Sequence, residues 1–277
     1  MDPVQLRKDF ENNGWVIIRD VFSEQEIAQM RENVQKSIEN SIKGDLLSNP
    51  FLNSYLYEPR ILDIARALLE GDVTYFGDSS ILLYSKVVGW HKDNPDRYDQ
   101  NGPDWSDKYN LIRVGIYLED HENSSGGLLL RHKSQNTISI DFGKPLNVPV
   151  KKGDVAVWYL TTTHSGNAKL LRFFPKIIVN PKYYKILPDF IFKPEKIDRM
   201  ALAFTFGKRG KHLDRYLKYL KSRQYGVSSW QNSIYDPETI AKAEKSGLEV
   251  MDMRKEVKDI DVKTLNLQHK DIPYQTV

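Results

Sequence analysis

The pattern of hydrophobic and polar residues divides the chain into three parts. Up to residue 72, apolar residues recur mainly at spacings of three and four, as they do on one face of a helix. From Val73 onwards the pattern changes to short apolar runs separated by Gly, Asn, Asp and Pro, and a helical pattern returns after Gly207. We therefore expect a single domain with N-terminal helices over 1–72, a β core over 73–207 and a C-terminal helical extension over 208–277.

Capping signals locate the first elements. The segment Ser23-Glu24-Gln25-Glu26 has the form of a capping box, in which the Ser23 hydroxyl and the Glu26 carboxylate accept hydrogen bonds from each other's backbone N–H groups. The pair Asn13-Gly14 is suited to a left-handed helix end. The predicted elements are helices over 3–12, 24 to about 42 and 59–69, with a short strand over 15–19.

The central part is rich in short strands. Strands at this spacing, flanked by helices, predict a sandwich or jelly roll, a mainly β fold of the α+β class. The predicted strands cover 73–77, 80–88, 111–119, 127–130, 137–140, 154–160, 176–179 and 199–206. Beyond them, 211–223 and 237–257 are helical candidates, and the last residues look like an extended tail.

Composition narrows the possible functions. The chain has 277 residues, of which 40% are hydrophobic, so it can bury a large core. Its net charge of +3 is too close to balance to indicate a nucleic-acid or membrane partner. It contains no cysteine, so any metal must be held by histidine and carboxylate. With no leader-like N-terminus and no run near the about 18 apolar residues of a membrane span, we expect a soluble, cytoplasmic protein without membrane insertion.

His91 and Asp93 are the first candidate metal ligands. They lie two residues apart at the end of an apolar run, and in a strand such residues point to the same face. His164 follows a second β-rich run, so the three side chains provide the ligand types of a 2-His-1-carboxylate iron site. Solvated strand ends would give the same pattern. The other four histidines are expected to be solvated surface groups: His121, His132, His212 and His269.

Several ordered motifs extend over residues 10 to 207 and together resemble the phytanoyl-CoA dioxygenase-like family of Fe(II)/2-oxoglutarate oxygenases. The match begins with the segment Asn-Gly-Trp-Val-Ile-Ile-Arg-Asp-Val-Phe-Ser at 13–23. It continues, in order, with Trp90-His91-Lys92-Asp93, Tyr117 to His121, Gly126-Gly127-Leu128, Lys152-Gly153-Asp154, His164-Ser165-Gly166-Asn167 and Arg199.

This resemblance implies a fold, a cofactor set and a reaction. The fold would be a cupin-like double-stranded β-helix, with iron held by His91, Asp93 and His164. The cosubstrate 2-oxoglutarate would chelate the metal through its 2-oxo acid end, and O2 would take the remaining position. The reaction would hydroxylate an unactivated C–H bond of a small-molecule metabolite and release succinate and CO2. Asp93 argues against a halogenase, in which a small residue replaces the carboxylate.

The chain departs from the family pattern at two places. Arg131-His132-Lys133-Ser134 stands where the family usually has Gly-Ser-His after the Gly-Gly turn. Arg199 follows His164 by 35 residues, much later than the family's cosubstrate arginine, because an aromatic-rich insertion lies between them.

Two arginines compete for the role of cosubstrate anchor. Arg199 opens an alternating strand whose small residues Ala201, Ala203 and Thr205 share one face and leave room for a dicarboxylate. Its guanidinium can form a bidentate pair with the distal carboxylate. We favour Arg199 as the anchor, and Arg172 is the competitor. The alternative without a functional role is that Arg199 only forms an ion pair at the rim of the barrel.

Further residues are candidates for lining the site. Leu82 and Tyr84 share a strand face that, by the resemblance, touches 2-oxoglutarate, although ordinary barrel packing explains them equally well. Trp90 and the loop over 94–110, with Trp105, are expected above the open iron positions, where they hold substrate or simply cover the barrel mouth. Arg172 is a further candidate for substrate contact.

A non-catalytic protein of the same fold is the rival interpretation. A β-sandwich that binds a ligand or acts as a scaffold could keep the fold with a degenerate pocket. The presence of all three ligand residues and a plausible anchor favours the enzyme. The sequence does not identify the substrate or the oligomeric state.

Overall fold

The structure, a computed structural model, describes residues 2–83, 89–105, 108–195 and 199–265. Its helices are α1 (Pro3–Asn13), α2 (Glu24–Glu39), α3 (Pro59–Leu69), α4 (Lys211–Lys221), α5 (Gln224–Asn232), α6 (Pro237–Lys245) and α7 (Arg254–Val257). Its strands are β1 (Trp15–Ile18), β2 (Val73–Leu83), β3 (Leu111–Tyr117), β4 (Gly127–Arg131), β5 (Pro145–Val148), β6 (Val155–Tyr159), β7 (His164–Ala168), β8 (Met200–Gly207) and β9 (Leu248–Val250).

The strands form two sheets. The larger sheet has the order β1-β6-β3-β8-β2-β9, and the smaller one has the order β5-β4-β7. All neighbouring strands are antiparallel except β2 and β9. A bridge between His91 and His164 extends the smaller sheet beyond β7. The backbone nitrogen of each histidine lies 3.0 or 2.9 Å from the carbonyl oxygen of the other.

The two sheets enclose an apolar layer. Leu128 and Leu130 of β4 point into it and meet Ala156, Trp158 and Ala201 of the larger sheet. Leu129 points to the opposite face of β4, where it packs against Trp90 and Ala168. β4 is therefore buried on both faces, which is why its sequence is a continuous apolar run rather than an alternating one.

Gly14 connects α1 to β1 and fixes the N-terminal segment on the sheet. Its φ of 81° lies in the left-handed region, and its N–H closes the helix on the Phe10 carbonyl at 2.7 Å. β1 then pairs with β6, Trp15 opposite Trp158. A Cβ at position 14 would lie 2.5 Å from Oε1 of Gln135, so only glycine fits without a shift.

We predict that Gly14→Ala lowers the free energy of unfolding by about 1 to 3 kcal/mol, because strained backbone and steric overlap combine. Gly166→Ala is the control, since an added Cβ there meets no atom within 4 Å. Chemical denaturation of both variants measures the difference. Equal stabilities would contradict this account of the α1–β1 connection.

Local signals predicted the N-terminal elements well. α1, β1, α2 and α3 begin where expected, and the capping box at Ser23 and Glu26 is present. In the C-terminal extension α4 is confirmed, whereas the helix predicted over 237–257 is correct only at its two ends, as α6 and α7, and is wrong in between. α6 stops at Lys245, Gly247 adopts a φ of 80°, and the chain continues as β9 and α7. No helix in the described ranges is long and apolar enough to cross a membrane.

The predicted strands over 137–140 and 176–179 are wrong. The second partner strand of β4 is β5, which has only four residues and contains Pro145 and Asn147, so its short apolar alternation was not recognised as a strand. Ile178 makes only an isolated bridge to Leu170 within an irregular insertion. Several large apolar side chains of this insertion are exposed: Phe173, Phe174, Ile177, Tyr183, Ile186 and Phe190.

Candidate metal centre

His91, Asp93 and His164 converge as the sequence predicted. Nε2 of His91 lies 3.7 Å from Oδ1 of Asp93, and Nε2 of His164 lies 3.5 Å from Oδ2. The bridge between the two histidine backbones places the imidazoles side by side, with ring centroids 4.2 Å apart. One ligand atom from each residue lies within 4.8 Å of the others, so the three could hold a single metal ion.

Backbone carbonyls orient both imidazoles. Nδ1 of His91 lies 2.8 Å from the Gly89 carbonyl, and Nδ1 of His164 lies 3.0 Å from the Thr162 carbonyl. A neutral imidazole that donates through Nδ1 presents the lone pair of Nε2, and such contacts commonly hold metal-binding histidines in place. Two nitrogen lone pairs facing a carboxylate repel it unless a cation lies between them. The donor set therefore fits a metal ion.

The electrostatic surroundings favour the protonation states that metal binding needs. Burial lowers the pKa of His164 to about 3, with a further contribution from His91, and burial also lowers the pKa of His91. Burial raises the pKa of Asp93, but His164 and Arg113 outweigh this effect and lower it overall to about 2. At neutral pH the site therefore has neutral imidazoles and an ionised carboxylate.

Arg113 supports the Asp93 carboxylate from β3. Its Nη2 lies 3.4 Å from Oδ2 of Asp93 and its Nη1 lies 3.2 Å from Oδ2 of Asp78. Asp78 also accepts hydrogen bonds from Thr205 at 2.6 Å and Tyr216 at 2.9 Å. Sequence reasoning missed this network, although a charged residue inside the apolar run of β3 was a visible signal.

We predict that Arg113→Gln lowers metal affinity by about 10- to 100-fold, as expected when a residue that orients a ligand is lost. Titration with Fe(II) or Co(II) under anaerobic conditions measures it. Arg209→Gln, which removes an exposed pair with Glu249, is the matched control. Thermal unfolding separates this effect from loss of fold. Unchanged affinity in a folded Arg113→Gln protein would refute the supporting role.

Arg199 is buried at the start of β8, with 7% of its surface exposed. The next residues of β8 pair with β3, Ala201 opposite Tyr117. Burial raises the pKa of Tyr117 to about 12, against an opposing effect of the nearby Arg199. A Cβ at Gly126 would lie 3.5 Å from Cδ of Arg199, so the Gly126-Gly127 turn passes close to its side chain.

The expectation that His121 and His212 are solvated is wrong. His121 is fully buried beside Tyr117, and its Nε2 lies 3.6 Å from Oε2 of Glu119. His212 is buried on α4, with Nδ1 3.2 Å from Oδ1 of Asp104. His132 is partly buried, and His269 lies outside the described residues. Neither His121 nor His212 belongs to the group that converges on Asp93.

The remaining candidate residues differ in exposure and in their place in the fold. Leu82 is 36% exposed and pairs with Ala201, whereas Tyr84 lies outside the described residues. Arg172 is exposed on the insertion. Trp90 is buried on the outer face of the smaller sheet, and the guanidinium of Arg131 lies 4.7 Å from its ring centroid.

The loop that follows Asp93, which contains Trp105, is held against the C-terminal extension by other side chains. The Trp105 indole donates to the Asp99 carbonyl at 2.8 Å, within the loop itself. Two aspartates of the loop pair with α4: Asp104 with His212 and Asp96 with Arg215. In addition, Nη2 of Arg97 donates to the Tyr219 hydroxyl at 3.1 Å. Helix α4, the first helix of the C-terminal extension, therefore fixes the position of this loop next to the metal ligands. The sequence did not reveal this role.

Comparisons with known proteins show similarity at the level of structure. No protein-family model matches the chain, and no curated protein matches it in sequence. Among solved structures, the non-heme alpha-ketoglutarate-dependent carbocyclase SnoK from nogalamycin biosynthesis is 18% identical, with a TM-score of 0.52 over 74% of this chain and 83% of SnoK. HygX from Streptomyces hygroscopicus, solved with nickel and 2-oxoglutarate, is 16% identical, with a TM-score of 0.53 over 73% of this chain and 85% of HygX.

A third structure extends the comparison. EctD from S. alaskensis, solved with 2-oxoglutarate and 5-hydroxyectoine, is 14% identical, with a TM-score of 0.53 over 73% of this chain and 75% of EctD. At these identities the similarity concerns the fold. The chain therefore has a double-stranded β-helix core with flanking helices, as predicted, and carries a His-Asp-His group at one end of its smaller sheet.

Proposed function

We propose that this protein is a non-haem Fe(II)/2-oxoglutarate-dependent oxygenase that hydroxylates a small-molecule metabolite, related to the phytanoyl-CoA dioxygenase-like family. The observation that carries the proposal is the convergence of His91, Asp93 and His164, with both Nε2 atoms facing the carboxylate. This ligand set is typical of non-haem Fe(II) oxygenases, because it leaves open positions at the metal. The structural similarity to SnoK, HygX and EctD supports it at the level of fold.

Bound iron with 2-oxoglutarate and O2 would supply the oxidising power, with succinate and CO2 as co-products. The residues of the chain hold and orient these groups. Neutral imidazoles of His91 and His164 and the ionised carboxylate of Asp93 would ligate the metal. Arg113 would hold the carboxylate, and the loop fixed by α4 would limit access of water.

Arg199 is the proposed anchor for the distal carboxylate of 2-oxoglutarate. It is buried, and it precedes Ala201, which faces the layer between the two sheets. Small side chains at Ala201 and Ala203 leave space beside it. The exposure of Arg172 favours Arg199 over that competitor. Leu82, opposite Ala201, and Tyr84 remain proposed cosubstrate contacts.

The reaction type is the finer part of the proposal. The structural neighbours include a carbocyclase and an epimerase as well as a structure that contains a hydroxylated product. We propose hydroxylation, because it is the simplest outcome for a substrate held beside the metal. A non-catalytic scaffold is less consistent with the structure, because a protein without a metal has no need to hold two neutral imidazoles against a partly buried carboxylate.

Succinate release tests the proposal. Purified protein would be incubated with Fe(II), 2-oxoglutarate, O2 and a panel of candidate metabolites, and products would be analysed by mass spectrometry. A substrate-dependent rise in succinate with gain of one oxygen atom supports hydroxylation. Succinate with loss of two hydrogen atoms, or with no change in mass, would contradict hydroxylation and point to cyclisation or epimerisation.

A further inference from the structure

A cleft of about 400 Å³ lies next to His91, one of the three proposed metal ligands. His91 forms part of its wall, whereas Asp93 and His164 do not line it. Its volume falls in the range of small-molecule sites. Aromatic, aliphatic and charged groups line it, among them Trp90, Arg97, Tyr98, Ile138 and Ile140.

Arg97 is a buried cation in this cleft, with only 5% of its surface exposed. Its Nη1 donates to the Asn94 carbonyl at 2.9 Å and its Nη2 to the Tyr219 hydroxyl at 3.1 Å. Its guanidinium also lies over the rings of Tyr98 and Tyr219, at 4.9 and 4.8 Å. All of these partners are neutral, so they orient the guanidinium without compensating its charge.

Among the described residues Arg97 forms no ion pair with a carboxylate, and its buried Nε has no hydrogen-bond acceptor there. Other buried arginines nearby are paired: Arg113 with Asp78 and Asp93, and Arg131 with Asp141. A buried charge normally has a partner, because removing it from water is costly. Arg97 therefore stands out as a buried cation without a contacting carboxylate; Asp93, the proposed metal ligand, acts on it only at longer range.

The other charged groups of the cleft are already engaged. Nζ of Lys92 donates to the carbonyls of Ser134 and Thr161, at 2.7 and 2.6 Å, and Asp141 pairs with Arg131. Arg97 is thus the charge in the described part of this cleft that remains available to a ligand. Beside it, Ile138 and Ile140 offer apolar surface.

We propose that this cleft binds the substrate of the reaction and that Arg97 recognises an oxyanion of the substrate, either a carboxylate or a phosphate. The apolar part of the substrate would pack against Ile138, Ile140 and Tyr98. Identifying the ligand as substrate rests on the proposed function. The anion preference itself depends only on side chains of the protein. A planar guanidinium suits either oxyanion, because it presents parallel N–H donors.

The test uses three probes of equal chain length: hexanoate, hexyl phosphate and hexanamide. Ligand-observed NMR titration would measure their binding to the metal-free protein with saturating 2-oxoglutarate. At least one anion is expected to bind about tenfold more tightly than the amide, the lower end of what a charge-assisted hydrogen bond provides. Comparison of hexanoate with hexyl phosphate distinguishes a carboxylate site from a phosphate site.

Three variants locate the preference. Arg97→Gln should abolish it. Ser139→Asp should do the same, because it adds a carboxylate to the cleft and leaves the Arg97 bonds to Asn94 and Tyr219 in place. Tyr219→Phe should keep the preference, because it removes one bond of Arg97 but not its charge. With Mn(II) added, enhanced relaxation of the probe protons would place the anion beside the metal.

Equal binding of anion and amide, or a preference that survives both Arg97→Gln and Ser139→Asp, would overturn the proposal. So would a loss of 2-oxoglutarate affinity in Arg97→Gln without any anion preference, since Arg97 would then serve the cosubstrate. If the wild-type protein failed to bind metal but kept the anion preference, the proposed function would fall while the anion site would stand.

Discussion

Replacing Asp93 by alanine is expected to reduce iron-dependent turnover by about a hundredfold or more, because even residues that only support a metal ligand contribute 10- to 100-fold. The change removes the single carboxylate of the group and the negative charge between two neutral imidazoles. The fold should persist, since Arg113 keeps its pair with Asp78. Succinate release and metal content would be measured together.

Matched controls make this result specific. Asp63→Ala removes an exposed aspartate of α3 and should leave turnover unchanged. His164→Ala should reproduce the loss, whereas His132→Ala should not, because His132 does not belong to the converging group. Near-normal turnover of Asp93→Ala with iron bound would show that the metal site lies elsewhere.

Arg199→Ala is expected to raise the 2-oxoglutarate concentration for half-maximal activity by about tenfold to over a hundredfold. A hydrogen bond to a charged group contributes roughly 1.5 to 3 kcal/mol, which corresponds to this range. Iron affinity should change much less. Arg199→Lys should restore the affinity only in part, because an ammonium keeps the charge and lacks the planar fork.

Arg172→Ala is the matched control for the anchor. It removes the same side chain from an exposed position on the insertion and should leave cosubstrate affinity unchanged. Titrating 2-oxoglutarate against both single variants decides between the two arginines. A large loss for Arg172→Ala and none for Arg199→Ala would reverse the assignment.

The sequence predicted what local chemistry determines. The capping box of Ser23 and Glu26, the Gly14 helix end and the apolar pattern of α3 depend on nearby residues, and all of them are present. The pair His91 and Asp93 was visible because strand alternation is a local rule. The convergence of this pair with His164 could be proposed because both histidines follow β-rich runs. The convergence itself depends on pairing between segments that are distant in the sequence.

Features that depend on distant contacts were missed. β7 consists of His-Ser-Gly-Asn-Ala, so no apolar alternation marks it as a strand, and its pairing with β4 stabilises it. The burial of His121 and His212 follows from neighbours supplied by other elements, Tyr117 and Asp104. The same holds for Arg113, whose partners Asp78 and Asp93 lie in two other segments.

The most direct test of the central claim is an anaerobic titration of the wild-type protein with Fe(II) and 2-oxoglutarate, followed by visible absorption. A metal centre of His91, Asp93 and His164 that chelates 2-oxoglutarate predicts a weak charge-transfer band that requires both additions and is absent in Asp93→Ala. If the folded wild-type protein gave no such band at saturating Fe(II) and 2-oxoglutarate, the assignment of this protein as a 2-oxoglutarate-dependent oxygenase would be contradicted.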